Sequence, residues 1–575
     1  MFKLIQYLKG YTKECIIGPL FKLLEVCFEL LVPLVVAQIV DVGIRNQDIS
    51  YIMKMCAIMV LFGIVGTSCA VVAQYFAAKA ATGFSSALRK DMFRHIGTLS
   101  YTELDEMGAA TLTTRITSDI NQVQTGVNLV LRLFLRSPFV VLGAVLMAFR
   151  VNVKLAWVFV LLVPILSMII FGIILITIPL YKKVQNRLDK VLGLTKENLS
   201  GVRVIRAFSK QADEKAAFAG ESDLLMNVQL LVGKIASLLN PATYVIINLA
   251  VIVVLFMGGQ EVALGNLTQG ELMALINYMS QILIALIALA NLIVSYTRAS
   301  ASAARIHEVF TLTSGMKEGE QQAGLENSSE KVTFSHVDFA YKGNKNVLTD
   351  INFTVKSGQT IGIIGGTGSG KSSVVNLIPR FYDTVKGQVL IDGMNVREYS
   401  FDGLRKKIGI VPQNAVLFAG TIRDNMQWGK KNASDEEIIR ALQMAQAWEF
   451  VSKKPQGLGE EVTQGGKNFS GGQRQRLTVA RALVLEPEIL ILDDSSSALD
   501  FATDAALRKA IAADTGKRTI FIVSQRATSI KNADKILVLD DGRQVGFGSH
   551  TELLDSCVVY QEICSSQLSV EELKE

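Results

Sequence analysis

The sequence predicts two joined parts of different fold class: an α-helical membrane-spanning domain with six spans and an α/β domain of the P-loop type. Three observations carry this prediction. The 575-residue chain is 50% hydrophobic and only 19% charged, which is unusual for a soluble protein. Long apolar segments fill its first half, whereas short apolar runs alternate with helical segments in residues 330–575. A phosphate-binding loop lies at residues 365–372.

The six predicted spans are apolar segments long enough to cross a bilayer, which takes about 20 residues. Four contain no charged residue, at 55–78, 155–181, 235–260 and 272–297, and two contain a few, at 15–40 and 128–149. From Ala299 onward the sequence becomes polar and turn-rich. We therefore predict a transmembrane domain over residues 1–300, a linker over 301–330 and a nucleotide-binding domain over 331–575.

Basic residues are concentrated in the two long loops, 79–136 and 182–234, and are sparse in the short loops 41–50, 150–154 and 261–271. Cytoplasmic loops of membrane proteins are enriched in Lys and Arg. We therefore expect a multi-pass cell-membrane protein with the long loops, both termini and the nucleotide-binding domain in the cytoplasm. The net charge of +6 has the same explanation, so nucleic acid is not an expected partner. The six cysteines form no C-x-x-C pair, and neither a disulfide framework nor a zinc site is expected.

The first span contains three charged residues, Lys22, Glu25 and Glu29, spaced to lie on one helical face. A charge within a span is costly and marks a functional path by default. Two interpretations stay open. Lys22 and Glu25 can neutralise each other near the membrane surface, or the carboxylates can bind cationic substrates.

The phosphate-binding loop matches G-x-x-x-x-G-K-[ST] at every defined position, between an apolar strand at 360–364 and a helix at 373–378. Its glycines let backbone N–H groups surround phosphate oxygens, its lysine adds a charge, and its serine offers a hydroxyl to Mg²⁺. The nucleotide-binding positions predicted here are Gly366, Thr367, Gly368, Ser369, Gly370, Lys371, Ser372 and Ser373.

A second nucleotide signal is the apolar run 489–492, which ends in Asp493 and Asp494. A buried strand ending in acids holds Mg²⁺ beside a phosphate loop, directly or through water. We expect Ser372 and Asp493 to be metal ligands, and both ATP and Mg²⁺ to bind.

A third motif, F-S-G-G-Q at residues 469–473, resembles the LSGGQ signature of ATP-binding cassette (ABC) proteins. The resemblance covers almost the whole chain, because six spans with two long cytoplasmic loops are similar to a type IV exporter half-transporter of the multidrug type. It implies further nucleotide contacts at Tyr341 (adenine), Gln413 (metal and catalysis), Ser470, Gly471, Gly472, Gln473 and Asp500, the last in a D-loop at 497–500. Segments Tyr101–Asp119 and Glu197–Phe208 are similar to that family's coupling regions.

The same resemblance implies a dimer, in which each ATP lies between the phosphate loop of one chain and the signature of the other. Three positions depart from the family pattern. Asp494 replaces the usual glutamate that polarises water, Gln525 replaces the switch histidine, and Gln464 replaces a glutamate. The signature is intact apart from Phe469 in place of leucine.

Because a carboxylate withdrawn by roughly 1 Å can cost on the order of 10²-fold in rate, this chain's own site, with Asp494, Gln525 and Gln413 at the catalytic positions, is expected to hydrolyse ATP poorly. We expect a heterodimer with a different half-transporter that exports small hydrophobic or amphipathic compounds, including drugs. The alternatives are a homodimeric lipid or peptide exporter and an ATP-gated regulator or channel.

Overall fold

The computed structural model describes residues 2–324, 329–341, 345–495, 499–513 and 518–567. The chain folds as two compact units. The first comprises Met1–Gly97 and Ala109–Leu312, and the second comprises Thr98–Gly108 and Thr313–Glu575.

Long helices build the first unit. The helices in the first 312 residues are α1 (Thr12–Gln38), α2 (Ile49–Ile96), α3 (Tyr101–Met107), α4 (Ala109–Thr114), α5 (Ile120–Leu133), α6 (Arg136–Val151), α7 (Val153–Ser200), α8 (Val202–Ala207), α9 (Gln211–Ser237), α10 (Leu239–Ala263) and α11 (Gln269–Thr311). A 3₁₀ segment precedes α1, and π-helical turns follow α1 and α4. The short helix α3 belongs to the second unit.

Within the described residues, six helices are long and apolar enough to cross a membrane, which confirms the six predicted spans. They are Leu4–Ile44, Ile49–Ile96, Ala109–Val151, Val153–Ser200, Gln211–Ala263 and Gln269–Thr311. Each has 41 to 53 residues, about twice what a bilayer requires. The helices therefore continue well beyond the apolar segments.

Prolines explain two interruptions in these long helices. The third span breaks at Phe134 and Leu135, between α5 and α6, and the fifth breaks at Leu238, between α9 and α10. Pro138 and Pro241 lie three or four residues later. A proline ring clashes with the carbonyl four residues before it and donates no backbone hydrogen bond, so the helix is interrupted there.

The charged residues of the first span are paired. Lys22 and Glu25 form an ion pair of 2.6 Å one turn apart, as one of the two interpretations proposed. Glu29 accepts a hydrogen bond of 2.8 Å from Arg136 of α6. Both carboxylates thus have a cationic partner, which lowers the cost of placing them in a span.

The second unit is an α/β domain. Its strands are β1 (Glu330–Phe339), β2 (Leu348–Lys356), β3 (Thr360–Gly365), β4 (Lys386–Ile391), β5 (Met394–Asn395), β6 (Ile408–Val411), β7 (Gly420–Thr421), β8 (Glu461–Val462), β9 (Ile489–Asp493), β10 (Thr519–Val523), β11 (Lys535–Asp540) and β12 (Arg543–Gly548). Its remaining helices are α12 (Lys371–Leu377), α13 (Phe401–Lys406), α14 (Ile422–Gln427), α15 (Asp435–Met444), α16 (Trp448–Ser452), α17 (Gly471–Val484), α18 (Phe501–Ala513), α19 (His550–Ser556) and α20 (Val558–Gln567).

Ten of these strands form one sheet in the order β5-β4-β1-β2-β12-β11-β3-β10-β9-β6. Its nucleotide-binding part, β11-β3-β10-β9-β6, is parallel. All five residues of β9 are buried, as expected of a strand covered on both faces of a parallel sheet. Because the carboxyl ends of parallel strands meet at one edge, the loop after β3 and the acids after β9 lie close together.

Candidate nucleotide-binding site

The loop between β3 and α12 is wound around its own lysine. The ammonium of Lys371 donates hydrogen bonds to the carbonyls of Gly365 (2.9 Å) and Gly366 (2.6 Å). Gly370, just before α12, has φ of 92°, and a Cβ there would lie 2.5 Å from the side chain of Leu348. Only glycine fits both the left-handed backbone and the close approach. The motif therefore adopts the compact loop that its sequence predicts.

This loop and the strand ends around it enclose a cavity of about 240 Å³. The residues lining it come from the phosphate loop and the start of α12, from the ends of β6, β9 and β10, and from the residue before β2. They are Val347, Thr367, Gly368, Gly370, Lys371, Ser372, Ser373, Gln413, Asp493, Asp494, Val523, Ser524 and Gln525. The structure thus brings the proposed phosphate-binding, metal-binding and catalytic side chains of this chain to one place. Gly366 and Ser369 lie in the loop beside them, and Ser369 is buried.

Two oxygen ligands suited to Mg²⁺ meet in this cavity. The hydroxyl of Ser372 donates a hydrogen bond of 3.0 Å to Oδ1 of Asp493. Octahedral Mg²⁺ binds oxygens at about 2.1 Å, so adjacent ligands lie about 3 Å apart. The spacing of this pair and its hard oxygen chemistry fit a magnesium ion, bound directly or through water.

Asp494, Gln413 and Gln525 are arranged around the same space. The amide of Gln413 donates a long hydrogen bond of 3.4 Å to Asp494. The backbone N–H of Asp494 donates to the carbonyl of Val523 at 3.0 Å, which fixes the acid beside the end of β10 and the Gln525 loop. Asp494 has φ of 44°, in the left-handed region that aspartate adopts more readily than most residues.

Burial perturbs the ionisable groups of the cavity. Burial raises the pKa of Asp493, and the neighbouring Asp494 charge raises it further, although the Ser372 hydroxyl opposes the shift. Burial also raises the pKa of Asp494 and lowers that of Lys371. Two carboxylates and one ammonium are thus held where water solvates them poorly. A bound cation and phosphate groups would supply the missing charge partners.

Tyr341 stands beside the phosphate loop. Its side chain is 40% exposed, and its hydroxyl lies 3.1 Å from Oγ of Ser373. Its ring packs edge-on against Phe339, with centroids 4.8 Å apart, and against Tyr382 at 5.1 Å. The exposed part of the side chain is open to an aromatic ligand, as the predicted contact with adenine requires.

The signature motif forms a capped helix N-terminus. Ser470 precedes α17 and accepts a hydrogen bond of 3.3 Å from the backbone of Gln473, whose side chain accepts one of 3.0 Å from the backbone of Ser470. Gly471 and Gly472 form the first turn. None of these residues lines the cavity described above. Phe469 is buried, so a large apolar side chain in place of leucine suits the position.

The D-loop is described in part. Ser497 and Ala498 lie outside the described residues, whereas Leu499 is buried and Asp500 caps α18. The carboxylate of Asp500 accepts hydrogen bonds of 2.9 Å from the backbone and hydroxyl of Thr503. Those bonds lower the pKa of Asp500, so it is anionic at neutral pH. Gln464, the third departure, is exposed and lies in a single 3₁₀ turn.

An aromatic contact that sequence reasoning missed fixes α3 to the second unit. Tyr101 of α3 packs against Phe381, with ring centroids 4.6 Å apart, and the hydroxyl of Tyr382 donates a 2.6 Å hydrogen bond to Asp105. Because Tyr382 also contacts Tyr341, a series of packed rings connects Tyr341, the predicted adenine contact, with α3. The resemblance predicted that this segment is a coupling region, but the local sequence did not indicate which residues it contacts.

Comparison with known proteins defines the class to which this fold and site belong. The family model of the ABC transporter transmembrane region matches residues 15–286, and a second model, described as ABC transporter, matches residues 348–497. The chain belongs to the ABC transporter family, and it is an ATP-driven exporter with a fused membrane domain.

Individual relatives extend over nearly the whole chain. The ABC transporter ATP-binding protein YfiB of Bacillus subtilis is 36% identical over 572 residues, 99% of each chain. An ATP-dependent lipid A-core flippase of Syntrophus aciditrophicus is 32% identical, covering 81% of this chain and 78% of that protein. A bacterial Atm1-family ABC exporter solved with ATP bound superimposes with a TM-score of 0.78, at 25% identity over 97% of this chain and 98% of that one.

Proposed function

We propose that this chain is the degenerate-site subunit of a heterodimeric exporter of amphipathic compounds. It binds ATP and Mg²⁺ at its own phosphate loop and hydrolyses that ATP slowly. Its signature motif completes a faster ATP site whose phosphate loop belongs to a different half-transporter. The nucleotide-binding domain and both termini face the cytoplasm, in accord with the distribution of basic residues.

One observation carries the proposal. Asp494 and Gln525, the two altered catalytic positions, line the same cavity as Lys371, Ser372 and Asp493. The binding groups of that cavity are all present, and only the groups that act on water and on the γ-phosphate are changed. Ser470, by contrast, retains the capping geometry of a helix N-terminus suited to phosphate. The asymmetry between an altered cavity and an intact signature supports a chain specialised for binding.

The geometry of Asp494 supports weak hydrolysis. Its carboxylate is one methylene shorter than that of glutamate, and its contact with Gln413, at 3.4 Å, is at the long end of a hydrogen bond. Gln525 offers an amide, which is neutral and donates from a different position than an imidazole does. When one member of a catalytic unit is lost, most of the rate acceleration is lost with it.

An amphipathic substrate is supported by the apolar spans and by the relative named as a lipid A-core flippase. That same relative favours a second candidate, a homodimeric lipid exporter in which Asp494 and Gln525 suffice for slow turnover. The two candidates differ in whether a second kind of chain is required for full ATPase activity.

The test is ATPase activity of the purified chain alone and after co-expression with a half-transporter encoded beside it. We expect low activity alone and substrate-stimulated activity in the pair. That activity should be lost when the partner's glutamate at the position equivalent to Asp494 is replaced by glutamine. It should be retained when Asp494 of this chain is replaced by asparagine. Ordinary substrate-stimulated turnover by the chain alone would instead establish the homodimer. ATP-dependent ion current without pumping would support a channel.

A further inference from the structure

The third span has a polar stripe that the ATP-driven cycle does not explain. Asn128 and Arg132 are four residues apart on α5, so their side chains project from one side of that helix. Arg136 is the first residue of α6, after the break at Phe134 and Leu135. Each of the three is half-buried within the single chain. Polar and charged groups inside a span are costly and mark functional sites by default.

Residue spacing along the third span places both arginines within the thickness of the hydrocarbon core. Counting 1.5 Å per residue from Arg150, where the apolar run ends, Arg136 is about 21 Å along α6, and Arg132 lies four residues further, beyond the break at Phe134 and Leu135. The hydrocarbon core is about 30 Å thick. Arg132 is therefore near the inner edge of the core, and Arg136 is deeper.

The charges in this part of the span do not balance. Arg136 is matched by Glu29, which accepts its hydrogen bond at 2.8 Å, and the amide of Gln281 donates at 3.5 Å to the backbone carbonyl of Glu29. Arg132 has no hydrogen bond or ion pair with any residue that the structure describes. Glu29 and Arg136 cancel, so one positive charge remains uncompensated.

Buried Nε of Arg136, a hydrogen-bond donor, also has no partner among the described residues, and the same holds for two buried acceptors, Oδ1 of Asn128 and Oε1 of Gln281. An unsatisfied buried polar atom costs roughly 1–3 kcal/mol. The unpaired charge of Arg132 and the unpaired donor of Arg136 both suit a ligand whose negatively charged oxygens accept hydrogen bonds, whereas the two amide oxygens would need a donor group on the same ligand.

We propose that Arg132 and Arg136 bind the anionic head group, a carboxylate or phosphate, of the amphipathic compound that this exporter moves. This proposal rests on the proposed function and names the substrate class. It also replaces the idea that Glu25 and Glu29 attract cations, because both carboxylates are already paired with cations of the chain. Guanidinium groups suit this role because they bind carboxylates and phosphates through two parallel hydrogen bonds.

The first experiment measures binding without ATP. The full chain, with its partner, is reconstituted in phosphatidylcholine and titrated with dansyl-aminoundecanoic acid, and separately with a dansyl alkylamine of equal length. We expect the anionic probe to bind at least about 10-fold more tightly than the amine. Arg132→Ala should weaken binding of the anionic probe by about 10-fold. Arg132→Lys, which keeps the charge but loses the two parallel hydrogen bonds, should weaken it less than Arg132→Ala does. The exposed control Arg203→Ala should change it by less than about three-fold. Equal affinity for both probes, or no effect of Arg132→Ala, would overturn the proposal.

A second measurement separates the transported compound from bilayer lipid as the source of the anion. ATP-dependent movement of the anionic probe across the vesicle membrane should require Arg132. If phosphatidylglycerol in the vesicles abolishes probe binding and the probe is never moved, the stripe holds a lipid and the substrate assignment is wrong. Export of other amphipaths without any preference for acids would refute this site and leave the proposed function standing. Arg132-dependent binding without any ATP-driven export would refute the proposed function and leave the site standing.

Discussion

Restoring the family residues at the two altered positions should convert this chain into a faster ATPase. Asp494→Glu lengthens the side chain by one methylene and carries the carboxylate about 1 Å further into the cavity, where its present contact with Gln413 spans 3.4 Å. A displacement of that size near the reacting atoms is worth on the order of 10²-fold in rate, about 2.7 kcal/mol. Gln525→His adds a group that can carry a positive charge toward the γ-phosphate.

The double variant should raise kcat of the chain alone by about 10- to 100-fold. KM for ATP should stay within about three-fold, because Lys371 and Ser372 are untouched and a gain confined to the transition state appears in kcat. Phosphate release over an ATP titration measures both constants. The matched control is Asp402→Glu with Gln443→His, which makes the same chemical changes at exposed positions outside the cavity.

Two results would refute this reasoning. An unchanged kcat with a well-folded double variant would show that Asp494 and Gln525 do not limit hydrolysis. A change confined to KM would show that they act on ATP binding. Because Asp494 has a positive φ that glutamate adopts less readily, thermal unfolding of each variant must accompany the kinetics.

Three further predictions follow from the described contacts. Lys371→Ala should lower affinity for a fluorescent ATP analogue by about 10- to 100-fold, because a charged phosphate ligand is lost. Asp494→Asn should raise the Tm of the nucleotide-free protein at pH 7 and should raise it less near about pH 4. Burial raises the pKa of Asp494, so the penalty on the ionised form is absent below the ordinary aspartate pKa of about 3.9 and grows as the pH rises from that value through the raised pKa. Tyr382→Phe removes the hydrogen bond to Asp105 and should abolish most substrate stimulation of the ATPase while basal turnover stays within about two-fold.

The parts of the site that follow from local pattern were predictable. The phosphate loop and the acids after β9 have short signatures, and the parallel sheet joins their ends, so the contact between Ser372 and Asp493 could be expected from sequence. Gln413 and Gln525 have no such signature, and only the family resemblance placed them. Their observed positions depend on β6 and β10 flanking β9 in the sheet.

Contacts between distant segments were not predictable. Glu29 and Arg136 are separated by 107 residues, and nothing in either local sequence selects the other. The same holds for Tyr101 and Phe381, since aromatic residues pack wherever the fold brings them together. The interpretation that Glu29 binds a cationic substrate was therefore open until its partner was known.

The membership of α3 in the second unit has a practical consequence for anyone isolating the nucleotide-binding domain. A fragment beginning at Thr313 would lack Thr98–Gly108. The faces of Phe381 and Tyr382 that Tyr101 and Asp105 cover would then meet water, and such a fragment would be prone to self-association through that surface. A soluble version of this domain needs the α3 peptide supplied in trans, or fused through a linker, before its nucleotide affinity can stand for that of the complete protein.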